Sequence, residues 1–464
     1  MASAITAPTY DPTTTAAALA EKYTSARQEI LDAQSKTASA TETGLTSLSS
    51  ALSAFQTSLA GLASSGKTVF AQSAVFGDTG VGSATAGPTA AAGSYSFFVK
   101  QLAAASQVSY TGLTDNTGVG GTLQIRMGGA PAFDIDMTAA DADGNGILTT
   151  RELAAAINGA SGNAGKLTAS IVTTGTTSEL VLTAKDTGAA SAITLVTSGI
   201  TGTSSLAAAN NDAARRRTLV AAQDAEIRVG SETGTAITQA SNTFTNIDGV
   251  KMTFTRAQAS GAAPVTLTVG PDNAGTTANV QAFVTAFNTL KAALNKLTDP
   301  GDPSKGVAGG VFAHDGGIRA LNNRLTALLR PGGDVSLASF GIVATREGTL
   351  ELNTDRLMAQ LARDPNGLDG LLGSASKTAP TGIAGSLETY LSSWSNSVDG
   401  QIKQRKEATS NLQSTLVTRQ ATLDQQYDSA YQRYLLQFTQ LQTLQSSMTT
   451  NLTLFDALFG SDKD

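Results

Sequence analysis

Apolar residues near the amino terminus recur at alternating steps of three and four, which places them on one face of a helix. Asp11 followed by Pro12 supplies a helix N-cap and a proline for the first turn, and Gly66 supplies a stop. The apolar stripe consists of Leu19, Tyr23, Ala26, Ile30, Ala33, Leu45, Leu48, Leu52, Phe55, Leu59 and Leu62. The pattern therefore predicts one long amphipathic helix.

The carboxyl-terminal part of the chain shows the same helical spacing. One stripe consists of Leu387, Leu391, Trp394, Val398 and Ile402. A second stripe, with heptad spacing, consists of Leu412, Leu416, Leu423, Tyr427, Ala430, Tyr434, Phe438, Leu441, Met448, Leu452 and Phe455. Because these stripes are narrow and the other helix faces are polar, they favour helices that bundle with each other and with copies from neighbouring subunits.

Between the ends, apolar and polar residues alternate with the period of a β-strand. The predicted strands are SYSFFVKQLA, TLQIRM, FDIDM, LTASIV, ELVLTA, AITLVT, AEIRVG, VKMTFT and VTLTVG. Helical spacing returns after Asn279, in VQAFVTAFNTLKAALNKL and IRALNNRLTALL. This order predicts an α+β multidomain fold with a coiled-coil-like leg of terminal helices, a helical base domain, and two β-rich outer domains inserted between the N- and C-terminal helical parts.

The same order of elements predicts where the domains begin and end. Residues 1–42 form the leg helix together with 425–464, and residues 43–75 with 280–424 form the helical base. Residues 76–112 with 221–279 form one β-rich domain, and residues 113–220 form the outer, β-rich tip. The terminal helices are expected to meet because the chain passes out through the β domains and returns.

Composition and charge narrow the classes of function. The net charge of −6 does not indicate a basic surface that would bind nucleic acid. The sequence contains no run of about 18 apolar residues, so it predicts no membrane-spanning helix. With no cysteine and with His314 as its one histidine, the chain cannot build a disulfide, a thiolate metal site or a Ser-His-Asp triad. We therefore predict a protein that is not an enzyme and requires no cofactor. The amino terminus lacks the pattern of a cleaved signal peptide.

One segment, Asp141 to Glu152, has the spacing of an EF-hand calcium loop. Asp141, Asp143 and Asn145 occupy positions 1, 3 and 5, Gly146 occupies position 6, and Glu152 occupies position 12. A structural Ca²⁺ would be bound by Asp141, Asp143, Asn145, the Ile147 carbonyl and Glu152, with Thr149 acting through a water. The alternative is a polar turn that leads into the helix TRELAAAIN, because the preceding FDIDM is predicted to be a strand rather than a helix.

Several spaced motifs are more specific in their order than any one of them is alone. They are AAAGSYSFFVKQLA, AAQDAEIRVG, SNTFTNIDGVKMTF, VTLTVGPDNAGTTANVQAFVTAFNTL and FGIVATREGTLELNTDRL. In this order they resemble the bacterial flagellar filament cap protein family, also called hook-associated protein 2, over nearly the whole chain. The segment TRELAAAINGASGNAGKLTASIV resembles the module found in flagellins, with Ile157 and Asn158 in the positions that give the module its "IN" name.

The resemblance implies a structural assembly factor that forms the oligomeric cap at the distal end of the flagellar filament. It implies a homopentamer that promotes polymerisation of exported flagellin subunits outside the cell. Further implied partners are hook–filament junction proteins and a flagellar export chaperone. Two alternatives remain open: another axial flagellar protein, such as a flagellin or junction protein, and a surface adhesin that binds through the β-rich tip.

The helical stripes are the candidate interfaces of such an assembly. The predicted interface residues are Leu19, Tyr23, Ile30, Tyr434, Phe438, Leu441, Leu452 and Phe455. Heptad stripes tolerate several ring sizes, so these residues do not determine the number of subunits. The alternative role is that they only join the two ends of one chain.

Overall fold

The computed structural model of the protein describes residues 11–64, 66–174, 177–330 and 336–459. The two ends of the predicted leg, residues 1–10 and 460–464, lie outside the described residues. The helices are α1 (Pro12–Ala63), α2 (Thr150–Gly159), α3 (Ser205–Asn210), α4 (Asn273–Thr298), α5 (Gly316–Leu328), α6 (Thr354–Leu361), α7 (Gly367–Leu372), α8 (Gly382–Ser395) and α9 (Gln401–Phe459). The strands are β1 (Gln72–Phe76), β2 (Gly82–Ala86), β3 (Gly93–Gln101), β4 (Gln107–Tyr110), β5 (Asn116–Thr117), β6 (Gly120–Met127), β7 (Ala130–Asp136), β8 (Ile147–Leu148), β9 (Leu167–Thr174), β10 (Thr177–Ala184), β11 (Ile193–Val196), β12 (Ile200–Thr201), β13 (Arg216–Val220), β14 (Ala225–Val229), β15 (Ala236–Gln239), β16 (Thr243–Ile247), β17 (Val250–Phe254), β18 (Val265–Pro271), β19 (Ile342–Ala344) and β20 (Leu350–Leu352).

The chain divides into two compact units. The helical unit combines both parts of the chain that flank the β region, up to Val69 and from Thr277 onward. The β-rich unit is the intervening Phe70–Thr276. This arrangement confirms the predicted α+β fold, in which a β-rich region is inserted between N- and C-terminal helical parts.

The first helix begins where the sequence predicts. Asp11 is the N-cap, and its carboxylate accepts hydrogen bonds from the amides of Thr13 at 3.2 Å and Thr14 at 3.1 Å. The hydroxyl and amide hydrogen bonds from these two threonines lower the pKa of Asp11 to about 2. Pro12 follows in the first turn, where its missing amide hydrogen costs nothing.

The core of the helical unit uses the second half of the predicted α1 stripe. Leu45, Leu48, Leu52, Phe55 and Leu59 are all at most 2% exposed. The ring of Phe55 packs against two rings of α4, with centroid distances of 6.5 Å to Phe283 and 6.0 Å to Phe287. The apolar periodicity therefore identified this part of the core correctly, because these five residues of the stripe are buried.

One predicted helix is wrong. The stripe from Leu387 to Ile402 is divided between α8, which ends at Ser395, and α9, which begins at Gln401. Val398 lies in the break and is 76% exposed. The side chain of Asn396 accepts a hydrogen bond from the Val398 amide at 2.8 Å, which forms a turn after the end of α8. Apolar spacing alone cannot detect such a turn.

The β-rich unit contains two hydrophobic clusters. The first β cluster centres on the rings of Phe76, Phe97, Phe244 and Phe254 and on the aliphatic side chains around them. Two sheets supply it, with strand orders β1-β18-β3-β14-β15 and β16-β17-β2. All neighbouring strands in these sheets are antiparallel. The predicted strands β3, β14, β17 and β18 all contribute buried residues to this cluster.

The second β cluster includes Leu123, Ile125, Ile157, Leu180 and Leu182. Its sheets have strand orders β13-β4-β10-β9 and β11-β6-β12, with β7 also paired to β6. Helix α2 contributes Leu153, Ala154 and Ile157 to the same cluster. The second β cluster therefore holds the start of α2, and with it the candidate calcium loop, against a packed core.

The finer domain boundaries stay predictions. Helices α1 and α9 continue without a break through the predicted borders at 42/43 and 424/425. Strand β4 packs in the second β cluster, although it lies within the segment 76–112. The two compact units meet along the chain at 69/70 and 276/277. Periodicity does not locate such borders, because a helix can pass from one packing environment to the next without ending.

An ion pair joins three helices of the helical unit. Asp315 caps α5 by accepting the Ile318 amide at 3.0 Å. Arg405 of α9 donates to both carboxylate oxygens of Asp315, and its guanidinium lies 5.6 Å from the centre of the Trp394 ring in α8. Desolvation acts to raise the pKa of Asp315, but the hydrogen bonds from Arg405 and Ile318 outweigh it and leave the pKa below its ordinary value.

We expect Asp315→Asn to lower the free energy of unfolding at pH 7 by about 1–2 kcal/mol, because the amide keeps the N-cap and loses the charge. The pKa of Asp315 is lower in the folded state than the roughly 3.9 of an unfolded aspartate. The contribution of the ion pair is therefore complete above about pH 4 and is lost as pH falls through the folded pKa. Urea denaturation at pH 7 and pH 3 measures this change.

Arg405→Met is the matched control, because it removes the same ion pair and keeps an apolar contact with Trp394. Both variants should differ from the wild type less at pH 3 than at pH 7. An unchanged difference at the two pH values would show that the ion pair does not contribute to stability.

Candidate assembly surfaces and metal-binding loop

Helices α1 and α9 form an antiparallel pair, named here the terminal helix pair. Arg27 donates a hydrogen bond to Gln426 at 2.6 Å, and Gln413 donates one to Glu42 at 2.8 Å. Residue numbers thus rise along α1 as they fall along α9. This packing confirms that the two helical stripes lie side by side.

The seam of the terminal helix pair repeats every seven residues on both helices. On α1 the seam positions, all of them buried, are Thr24, Leu31, Ala38, Leu45 and Leu52. On α9 they are Ile402, Thr409, Leu416, Leu423 and Ala430. This repeat is the packing geometry of a coiled coil, so the fold class predicted for the leg is confirmed.

Helix α9 continues past the described start of α1. Counting back from Arg27 to Pro12, and forward by the same number from Gln426, brings the partner of Pro12 to about Leu441. The rest of α9, which ends at Phe459, extends for about 18 residues, or roughly 27 Å. Apolar residues lie along one face of this extension, named here the α9 extension, and are exposed: Leu441 37%, Leu444 58%, Met448 58%, Leu452 62% and Phe455 61%.

The structure places the predicted interface residues off the seam. Tyr23 is 47% exposed and Ile30 is 59% exposed, whereas Leu19 is half-buried. Tyr434 and Phe438 are half-buried. The other three are on the α9 extension, with Leu441 37%, Leu452 62% and Phe455 61% exposed. No observation of the structure tests whether they bind a second subunit, so their interface role stays a prediction.

Apolar spacing did not reveal the residues that form the N-terminal half of the seam. Ala38, Leu31 and Thr24 follow from Leu45 by steps of seven toward the amino terminus. Alanine and threonine are weak hydrophobic signals, and the larger Tyr23 and Ile30 on a neighbouring face obscured them. Continuing the heptad back from Leu45 would have found the seam.

The candidate calcium loop folds around its own acidic side chains. Asp141 accepts hydrogen bonds from the amides of Gly144 at 3.0 Å and Gly146 at 2.7 Å. Asp143 accepts one from the Asn145 amide at 3.0 Å. Gly146 has φ of 80°, a left-handed conformation that an EF-hand loop requires at this position.

Glu152 closes the loop from the first turn of α2. It forms a capping box with Thr149, whose amide and hydroxyl donate to the glutamate at 2.9 and 2.8 Å. The backbone and side-chain hydrogen bonds from Thr149 lower the pKa of Glu152. One carboxylate oxygen from each of Asp141, Asp143 and Glu152 lies within 4.8 Å of the others, a spacing that fits three ligands of one Ca²⁺.

The elements around the loop differ from those of a helix–loop–helix calcium motif. The incoming element is strand β7, as predicted, and the outgoing element is helix α2 with Thr149 as its N-cap. The short strand β8 inside the loop pairs with β5 of the same chain. This pairing, together with the burial of Leu148 of β8 in the second β cluster, supports the loop from within the chain.

No helix in the described part of the chain combines the length and the hydropathy that crossing a lipid bilayer demands.

Comparison with known proteins decides the family. The family model described as flagellar hook-associated protein 2 N-terminus matches residues 9–106, and the one described as flagellar hook-associated protein 2 C-terminus matches residues 222–450. The chain belongs to the flagellar hook-associated protein 2 family. The calcium-like loop lies between these two matches.

Individual members of the hook-associated protein 2 family are similar over most of their length. The lateral flagellar hook-associated protein 2 of Vibrio parahaemolyticus is 32% identical over 381 residues, covering 80% of this chain and 82% of the relative. The B-type flagellar hook-associated protein 2 of Pseudomonas aeruginosa is 30% identical over 441 residues, covering 89% of this chain and 88% of the relative.

The fold also has a close counterpart among solved structures. The crystal structure of the flagellar cap protein FliD D1-D2-D3 domains from Escherichia coli is 27% identical, with a TM-score of 0.61. The similarity covers 79% of this chain and 99% of that one. The family is therefore one of structural flagellar cap proteins, and membership supports a role for this chain as a filament cap protein. The comparisons favour neither a flagellin, nor a junction protein, nor an adhesin.

Proposed function

We propose that this chain forms the oligomeric cap at the distal end of the flagellar filament as a homopentamer and promotes polymerisation of exported flagellin subunits. It acts outside the cell, and its further partners are the hook–filament junction proteins and an export chaperone. The proposal rests on family membership and on the exposed apolar residues of the terminal helix pair.

The exposed apolar face of the α9 extension is the observation that best supports the proposed oligomer. Leu444, Met448 and Leu452 are each more than half exposed, although they repeat at the spacing of a packed helix face. Burial of a leucine or methionine side chain contributes about 1.5–3 kcal/mol. An apolar row of this length is characteristic of a surface that another subunit covers.

We expect the purified wild-type chain to form a five-legged ring, visible by negative-stain microscopy and measurable by light scattering. The triple variant Leu444→Asp, Met448→Asp, Leu452→Asp should weaken assembly by at least about 100-fold, because three charges would have to be buried. Circular dichroism should show that the helices of the variant persist, since the substituted residues are exposed in the single chain.

The matched control places the same three charges on the opposite face of the α9 extension, at Ser446, Thr450 and Thr453. The control variant should assemble like the wild type. A wild-type chain that stays monomeric at every concentration tested would refute the oligomer. Rings with another number of subunits would refute the pentamer alone.

We also propose that the loop from Asp141 to Glu152 binds a structural Ca²⁺ that stabilises the β-rich unit. Asp141, Asp143, Asn145, the Ile147 carbonyl and Glu152 would supply the ligands. The convergence of three carboxylates within 4.8 Å supports this proposal over a simple polar turn. The loop carries a stabilising role and no switch, because it lies against the packed second β cluster.

We expect Ca²⁺ to raise the melting temperature of the full chain relative to a sample in EDTA. The stabilisation should reach about 2.7 kcal/mol when the Ca²⁺ concentration is 100 times the dissociation constant. Glu152→Gln should weaken Ca²⁺ binding by at least about 10-fold, or 1.4 kcal/mol, while glutamine preserves the capping box with Thr149. Calorimetric titration measures both effects.

Asp134→Asn is the control, because Asp134 is an exposed carboxylate on the neighbouring strand β7. This variant should respond to Ca²⁺ like the wild type. Absence of heat and of any rise in melting temperature at a few millimolar Ca²⁺ would refute the metal site. An equal response of wild type and Glu152→Gln would place the bound ion elsewhere.

A further inference from the structure

Two grooves run along the terminal helix pair, one on each side of its seam. Both reach Leu423 at the seam. Arg27 and Ile30 of α1 line one groove, of 330 Å³, and Glu21 and Gln28 of α1 line the other, of 310 Å³. At 100° per residue, the first two side chains leave α1 on one side of Leu31 and the last two leave it on the other side.

The first groove is basic. Arg27 and Arg419 line it together with Ile30, which is 59% exposed. The guanidinium of Arg27 lies 5.3 Å from the centre of the Tyr23 ring, and that of Arg433 lies 6.0 Å from the same ring. Three arginines and two exposed apolar side chains thus occur together along one side of the pair, which we name the basic flank.

The second groove is acidic. Glu21, Glu29 and Asp424 line it, together with Tyr427. These residues form the acidic flank. Among the described residues, none of its three carboxylates forms an ion pair within the chain, and neither do Arg27 and Arg419 of the basic flank.

We propose that the basic flank of one chain packs against the acidic flank of a second copy, so that terminal helix pairs associate side by side and head to tail. This inference rests on the proposed oligomeric cap, and it names the surfaces that hold neighbouring subunits together. Each groove of one chain is covered by the groove of opposite charge on the next copy of the chain.

Charge complementarity selects this arrangement over the alternatives. A two-fold symmetric dimer through either groove would bring like charges together, which costs free energy. A head-to-tail contact pairs arginines with carboxylates at every interface, and such heterologous contacts form a ring when the rotation between neighbouring copies closes. Charges that flank the seam of a coiled coil set the choice and orientation of its partners in the same way. Ile30 and Tyr23 supply apolar area that the ion pairs surround.

The test uses three charge variants of the full chain, all at exposed positions. The all-acidic chain carries Arg27→Glu and Arg419→Glu, so both of its grooves are acidic. The all-basic chain carries Glu21→Lys, Glu29→Lys and Asp424→Lys, so both of its grooves are basic. The exchanged chain carries all five substitutions, which reverses the charge of both flanks.

The all-acidic chain and the all-basic chain are named here the single-flank chains, because each has only one kind of flank. We expect each single-flank chain to assemble at least about 10-fold more weakly than the wild type, as measured by light scattering. An equimolar mixture of the all-acidic and all-basic chains should recover association into mixed oligomers, although an alternating ring of five would keep one like-charge contact. The exchanged chain should assemble alone. Wild-type assembly should weaken in about 1 M NaCl, where the Debye length is near 3 Å.

Assembly of either single-flank chain at wild-type strength would overturn the inference, and so would a mixture that stays monomeric. If a single-flank chain loses helical content, the assembly of the exchanged chain provides the test, because the exchanged chain assembles only when its two flanks are complementary. A monomeric wild type would refute the proposed cap itself. If the wild type and all three charge variants formed the same rings, only the pairing of the flanks would be refuted.

Discussion

Phe254→Ala should lower the free energy of unfolding of the β-rich unit by about 3–5 kcal/mol. Phe254 is 2% exposed, at the centre of the first β cluster. Its ring lies 5.3 Å from that of Phe76, 6.2 Å from that of Phe97 and 5.6 Å from that of Phe244. Alanine would leave a cavity among three rings and remove aromatic contacts worth about 0.5–1.5 kcal/mol each. The melting temperature should fall by about 10 °C.

Phe254→Leu and Lys251→Ala are the controls for this loss. Leucine fills most of the space and should cost less than alanine, and Lys251 is an exposed residue of the same strand, so its substitution should change stability by at most about 0.5 kcal/mol. Oligomerisation should persist in Phe254→Ala, because both proposed assembly surfaces belong to the helical unit. A cost below about 1 kcal/mol would show that the cluster repacks.

Phe55→Ala should cost about 3–5 kcal/mol in the helical unit. Phe55 is 2% exposed, and it joins α1 to α4 through the rings of Phe283 and Phe287. Chemical denaturation followed by circular dichroism measures the loss. Because α1 also supplies one half of the terminal helix pair, we expect oligomerisation to weaken together with stability.

Val417→Ala is the control for Phe55→Ala. Val417 is 70% exposed on α9, so its truncation should change stability by at most about 0.5 kcal/mol. Phe55→Leu should recover most of the loss. If Phe55→Ala destabilised the chain and left oligomerisation unchanged, the assembly surfaces would not depend on how α1 is anchored.

The conformation of the candidate calcium loop was predictable in large part, because the residues proposed as its ligands lie within one short segment. Asp141, Asp143 and Glu152 occur within one twelve-residue segment, so their types and spacing specify the loop without long-range information. The structure adds the capping box between Thr149 and Glu152 and the convergence of the three carboxylates. Support from the second β cluster could not be predicted, because it depends on residues far apart in the chain.

The proposed assembly surface was predictable only in part. Apolar spacing identified Tyr23, Ile30 and Leu452 as members of helical stripes, yet it did not distinguish a seam residue from an exposed one. That distinction depends on how α9 lies on α1. The segregation of Arg419 from Asp424 to opposite sides of the seam is likewise invisible until the two helices are paired.

The sequence by itself determined the terminal helices, α2, α4 and α5, about half of the strands of the β-rich unit and the calcium-like spacing. Periodicity, N-caps and short motifs act over a few consecutive residues, so no long-range information was needed for them. Only the tertiary structure decided that α8 and α9 are separate, which face of α1 is buried, and that the flanks of the terminal helix pair carry opposite charges. Those features depend on contacts between residues hundreds of positions apart, such as Arg27 and Gln426. Local sequence patterns do not show which distant residues will be in contact.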